Sequence, residues 1–144
     1  MTAPPRPSPN FAFLEHHDPA LVVLATAAES LFPIDAPASI AKLRLFGERL
    51  AQRTAAKLGL YVETRDTQLD LINRLADAGA MSTLQKTLFH ELRMAGNAAS
   101  HVNHGSASDA LAQLRIAHQL AYATFDVAAE SSTAGVVGVL SNVE

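Results

Sequence analysis

Between residues 40 and 58 the apolar and small positions fall at Ile40, Leu43, Gly47, Leu50, Thr54 and Leu58, which share one face of a wheel at about 100° per residue. A second such face recurs at Leu84, Leu88, Leu92, Ala95, Ala99 and Val102. This is the period of amphipathic helices packed on a core. All 7 prolines lie at or before Pro37, and alanine and leucine, both strong helix formers, make up about a third of the chain. Gly59, Gly79 and Gly105 each end a helical stretch ahead of a polar start signal, the placement of C-terminal caps.

Five helices follow: Asp18 to Phe32 with Pro19 in its first turn, Pro37 to Leu58 with Asp35 or Ser39 near its start, Thr67 to Ala78, Ser82 to Val102, and Ser106 to Ala129. Thr67 with Asp70 forms a shortened capping box. The fold class is all-α, a four-to-five-helix bundle. Residues 1–10 are expected to be a disordered, proline-rich start, 11–130 a single helical domain, and 131–144 a flexible tail or linker stub.

Composition narrows the chemistry. A chain of 144 residues that is 49% hydrophobic is long enough to bury one real core. Its lack of cysteine excludes thiolate nucleophiles, cysteine zinc sites and disulfides. A net charge of −3 gives no global attraction to nucleic acid or anionic lipid, so any such binding needs a local patch. The longest early apolar run, Ala20 to Ala28, is too short to span a bilayer, and the start of the chain lacks the apolar stretch of a secretory signal. A cytoplasmic protein without membrane contact is expected, and no cofactor is implied.

Two polar stripes carry the candidate sites. On the second helix Lys42, Arg49, Arg53 and Lys57 gather within about 80° on a face away from the core, a stripe able to track a phosphate backbone. Four cations there are equally an ordinary solvated face. Arg44 and Glu48, spaced i, i+4 at the flank of the core side, are expected to pair and hold the helix in register. On the fourth helix His90, Arg93, Asn97, His101 and His104 line up nearly opposite the apolar face, with Gly96 beside them where a second backbone can approach closely. The stripe reads as solvent face, as the contact of a symmetric dimer, or as a phosphodiester site using His101. A metal site through His101 and His104 lacks a carboxylate on the same face, so no metal is expected.

The succession FAFLEHHDPALVVLATAAES, DAPASIAKLRLFGERL, LINRLADAG and LFHELRMAGNAASH resembles the small helical domain at the N-terminus of type I restriction-enzyme motor subunits and related helicases, within the HEPN-like superfamily. The likeness spans roughly residues 11–126, its most specific parts being Lys42-Leu43-Arg44 with Glu48, and Arg93, Gly96-Asn97 and His101. It implies a bundle that often pairs as a homodimer and accompanies restriction, helicase or other defence machinery. The sequence has no GxxxxGK[ST] loop, so ATP hydrolysis by that chemistry is excluded.

Some members of the superfamily are metal-independent endoribonucleases, in which an arginine and a following polar residue shortly precede a histidine. His101 matches that histidine and Asn97 the polar residue, but the arginine position is Gly96 and Arg93 lies a turn earlier. The resemblance therefore implies a non-catalytic interaction or nucleic-acid-sensing module, binding through Arg93, Asn97 and His101 and through Lys42, Arg49, Arg53 and Lys57. Arg44, Glu48 and Gly96 have structural roles in this reading. The alternatives are an endoribonuclease with His101 as acid/base and Arg93 on the phosphate, and a passive docking domain of a restriction motor.

Overall fold

A computed structural model describes residues 8–60, 67–102 and 105–125, with the side chains of 100–102 outside that description. Among the described residues there are five α-helices and no strand: α1 Pro19–Leu31, α2 Ala36–Lys57, α3 Gln68–Asp77, α4 Thr83–Val102 and α5 Ala107–Phe125, preceded by a 3-10 turn at Ala12–Leu14.

Their ends are set by local chemistry. Asp18 accepts a hydrogen bond from the Ala20 amide and Asp35 from that of Ala38, each followed by a proline in the first helical turn. Thr67 and Asp70 complete the reciprocal capping box expected of them. Gly59 and Gly79 take φ of +71° just past α2 and α3, a conformation that L side chains resist.

α2 is the hub, touching all four other helices. Its buried face is therefore wider than one stripe. Phe46, Ala51 and Ala55 join Ile40, Leu43, Gly47 and Leu50 in the interior, whereas Leu58, expected inside, is 52% exposed past the end of the helix. Phe46 meets Phe11 edge-on with ring centroids 5.9 Å apart. Around this pair gather Leu21 of α1, Leu71 and Ile72 of α3, Phe89 and Leu92 of α4, and Leu114 of α5.

The start of the described chain is packed, against the expectation for residues 1–10. Ser8 and Asn10 are buried; the Ser8 amide donates to Thr26 Oγ1 at 3.0 Å, and Asn10 Nδ2 donates to Glu29. Residues 1–7 and the tail assigned to 131–144 lie outside the described residues.

His118, an unremarked polar position of α5, clamps this segment. It is 5% exposed, hydrogen-bonds the Asn10 backbone and sits among Phe11, Phe13 and Tyr122. Burial holds its imidazole below the ordinary value of 6.5, the Asn10 bond opposing in part. The folded state thus binds fewer protons than the unfolded one. The stability that follows is complete above the unfolded value and is lost progressively as pH falls from there through the lowered folded one. Thermal unfolding from about pH 7.5 to about pH 5.5 should show the parent losing more stability than His118→Gln. His90 shifts the same way and remains in both proteins, so the difference isolates His118.

Candidate functional site

The polar residues of α4 do not stand opposite its apolar face. His90, Arg93 and Asn97 are half-buried along one edge, because α2, α3 and α5 all pack on this helix and widen its covered arc. The solvent face is Leu84, Thr87, Glu91, Met94 and Ala98, with Leu84 and Met94 each 53% exposed. Leu84, expected in the core, thus lies outside, while Phe89 and Gly96 are buried.

Gly96 has a partner within the chain. A Cβ at this position would stand 2.3 Å from Arg44 Cβ, 2.7 Å from its Cδ and 2.9 Å from its Cγ. No real Cβ tolerates such distances, so the glycine is what lets α2 and α4 cross in contact. The close approach read from the sequence is real, but it joins two helices of one molecule, and Gly96 is not available for a crossing between two copies. The expected Arg44–Glu48 ion pair does not form among the described residues; Arg44 instead lays its aliphatic stem over Gly96.

Three side-chain nitrogens of α2 and α4 lack hydrogen-bond partners among the described residues: Arg44 Nε, Arg93 Nε and His90 Nδ1 are buried and unsatisfied. His90 is held below its ordinary value first by burial, then by the charges of Arg93 and Lys86, which favours the neutral ring. Arg93, near enough to His90 for its charge to bear on the ring, can offer guanidinium donors to an acceptor-rich surface, since bidentate guanidinium contacts are directional and strong. His101 lies in α4, and its side chain is outside the described residues, as is His104 entirely. No group of three or more His, Asp or Glu placed to hold a metal gathers among the described residues.

The basic stripe of α2 divides. Arg49 Nε donates to Asp18 Oδ2 at 2.7 Å and Nη2 to Oδ1 at 3.3 Å, tying the middle of α2 to the N-cap of α1. Arg53 Nε stands 3.5 Å from the same carboxylate, and its Nη2 donates to the His17 carbonyl at 2.9 Å. Asp18 is 4% exposed, and the Arg49 hydrogen bond keeps it ionised to below the ordinary carboxylate value. Arg49 is accordingly a tether more than a binding residue. Half-buried Lys42 and exposed Lys57 make no ion pair among the described residues.

Sequence reasoning passed over the neighbours of this network. A groove of about 670 Å³ opens at the end of the bundle, lined by His16, His17, Arg53, Lys57, Leu58 and Phe125 among others. The His17 ring stacks on Phe125 with centroids 4.2 Å apart, and His16 lies 4.3 Å from His17. The adjacent histidines directly before the Asp18-Pro19 helix start were the only available signal.

Comparison with known proteins adds the family. The family described as "Domain of unknown function (DUF4145)" matches residues 26–134. The endonuclease subunit of the type I restriction enzyme EcoKI from Escherichia coli is 34% identical over 114 residues, which is 78% of this chain and 9% of that protein. The chain thus spans under a tenth of that relative's length. No solved structure matches significantly. Among the described residues no helix is long and apolar enough to cross a membrane.

Proposed function

The chain belongs to the DUF4145 family, and from that premise we propose that it is a non-catalytic helical interaction module, of HEPN-like type, working with restriction or helicase machinery in the cytoplasm. The observation that carries this reading is the likeness to a stretch that forms only 9% of a type I restriction endonuclease subunit. On this reading the matching stretch acts by contact within the larger protein. The half-buried edge of Arg44, Arg93 and Asn97 supplies donors for a partner's carbonyls, carboxylates or phosphates. The outer face of α4, with Leu84 and Met94 exposed, is the surface through which two copies pair.

Sedimentation velocity tests the pairing. The parent is expected to run as a dimer and Met94→Glu as a monomer, with stability changed by no more than about 0.5 kcal/mol because the residue is exposed. A parent that stays monomeric at every accessible concentration contradicts the self-association.

One observation favours a second reading, the metal-independent endoribonuclease with His101 as acid/base and Arg93 on the phosphate. The aliphatic stem of Arg44 crosses position 96, so an arginine from α2 lies beside the place where a glycine stands instead of the arginine. Under that reading His101→Ala abolishes RNA cleavage and leaves fold and mass unchanged.

A further inference from the structure

We propose that residues 8–14 form a releasable strap, closed over the bundle at neutral pH and opened by protonation of His118 while the helices stay folded. This device is separate from the α4 edge and does not depend on pairing or docking there.

The two ends of the strap are held by different chemistry. Beyond its C-terminal end, Asp18 caps α1 with its own side chain and accepts from Arg49 at 2.7 Å, and the His17 carbonyl accepts from Arg53 at 2.9 Å. Those contacts join α1 to α2 and persist without the strap. At its N-terminal end, among the described residues, the Ser8 amide donates to Thr26 Oγ1, Asn10 Nδ2 donates to Glu29, and the Asn10 backbone bonds to His118. Each of these bonds ends on a side chain, so breaking them disrupts no helix. The bonds of the Phe11 amide to Ser8 and of the Leu14 amide to Phe11 are internal to the strap. Exposed Glu15 and His16 form the joint about which it can swing. Packing supplies the remaining grip. In a 3-10 turn residues three apart lie on one side, and Phe11 and Leu14 are both fully buried. When they leave, Leu43, Leu50, Leu71, Phe89 and Leu114 still fill the core between the helices.

His118 is the catch. Its ring bonds to the Asn10 backbone, while its Nε2 is buried without a hydrogen-bond partner among the described residues, as is Asn10 Oδ1. Phe11 and Phe13 of the strap and Tyr122 of α5 surround the ring at centroid distances of 5.6, 5.8 and 4.6 Å. A second ring proton would sit on Nε2 against these rings, and water supplies its acceptor once the strap lifts. Tyr122 is the titratable neighbour, and burial raises its phenol above the ordinary value of 10.0, so it stays neutral throughout. Arg115, one turn earlier on α5, is exposed; from α1, Glu29 meets the strap through Asn10; from α2, Phe46 meets Phe11. No charge on these elements shifts His118, which burial lowers and the Asn10 bond raises. Protonation therefore favours the open strap, in which the ring is hydrated.

The test is amide hydrogen exchange of the 144-residue chain, read by NMR at about pH 7.5 and about pH 5.5. Each rate is divided by that of an unstructured peptide at the same pH. The Phe11 and Leu14 amides are expected to open more often than the Leu50 amide in the middle of α2. Their opening is expected to rise at the lower pH by up to about tenfold, the limit set by one histidine with an ordinary value of 6.5, and to show no such rise in His118→Gln. Strap amides that exchange only in step with Leu50 would mean that the strap leaves with global unfolding, and would overturn the proposal. A rise that persists in His118→Gln would assign the effect to His16 or His17 in the joint, and would overturn it too. The comparison with Leu50 needs the parent alone, so it decides whatever the folding of the variant.

Discussion

Replacing Gly96 by alanine is expected to destabilise the protein by about 2–3 kcal/mol, although alanine is the better helix former by about 1 kcal/mol. At a solvent-facing glycine the propensity would win and the variant would gain stability. Here the added methyl meets Arg44 Cβ at 2.3 Å, an atom fixed to the α2 backbone that cannot rotate away. The two helices must part. That loosens the neighbouring layers, Gly47 against Leu92 and Ile40 with Ala99. Arg44→Ala keeps the offending Cβ and should rescue little, whereas Arg44→Gly removes all three close atoms and should recover most of the loss. Chemical denaturation of the six proteins, in two double-mutant cycles that share the parent and Gly96→Ala, measures this coupling. A Gly96→Ala variant as stable as the parent would mean that the helices do not touch here.

Loss of Asp18 is the second large effect. Asp18→Ala removes the N-cap of α1, worth about 1 kcal/mol, and the charged hydrogen bonds from Arg49, worth about 1.5–3 kcal/mol together with their geometry. Because the Arg49 side chain is 42% exposed and recovers water, the sum falls at about 2–3 kcal/mol. Asp18→Asn keeps a good cap and loses only the charge, so it should show roughly half of that loss. The pH dependence follows from the depressed carboxylate. The contribution is present above the unfolded value of 3.8 and disappears as pH falls through the folded one. Thermal melting of both variants at neutral pH and near pH 3 checks this; a loss in Asp18→Ala with none in Asp18→Asn would reduce Asp18 to a cap alone.

What could be read from the sequence was local in the chain. Asp18-Pro19, Asp35 ahead of Pro37, and Thr67 with Asp70 sit within a turn of the helices they start, and all three starts are found in place. Interactions across the chain were hidden. The stripe of Arg49 and Arg53 reads as open cationic surface until Asp18, 31 residues before Arg49, is folded against it. Gly96 announces a close approach without saying to which helix. A wheel sets the α4 stripe opposite the apolar face because it assumes one buried face, whereas α4 is covered by three helices. His118 gave no signal, since a polar residue on an amphipathic helix is ordinarily exposed. The family likeness pointed to restriction machinery before any geometry was known, and the 34% identity to a restriction subunit agrees with it.

The central claim is that the chain acts by contact and does no chemistry on RNA. The most direct measurement is a metal-free incubation of the parent and of His101→Ala with labelled single-stranded RNA and duplex DNA, read for cleavage and mobility shift in the same lanes. The account predicts intact RNA with both proteins, with any change confined to mobility. Cleavage by the parent that disappears in His101→Ala would contradict it and assign the ribonuclease chemistry to α4.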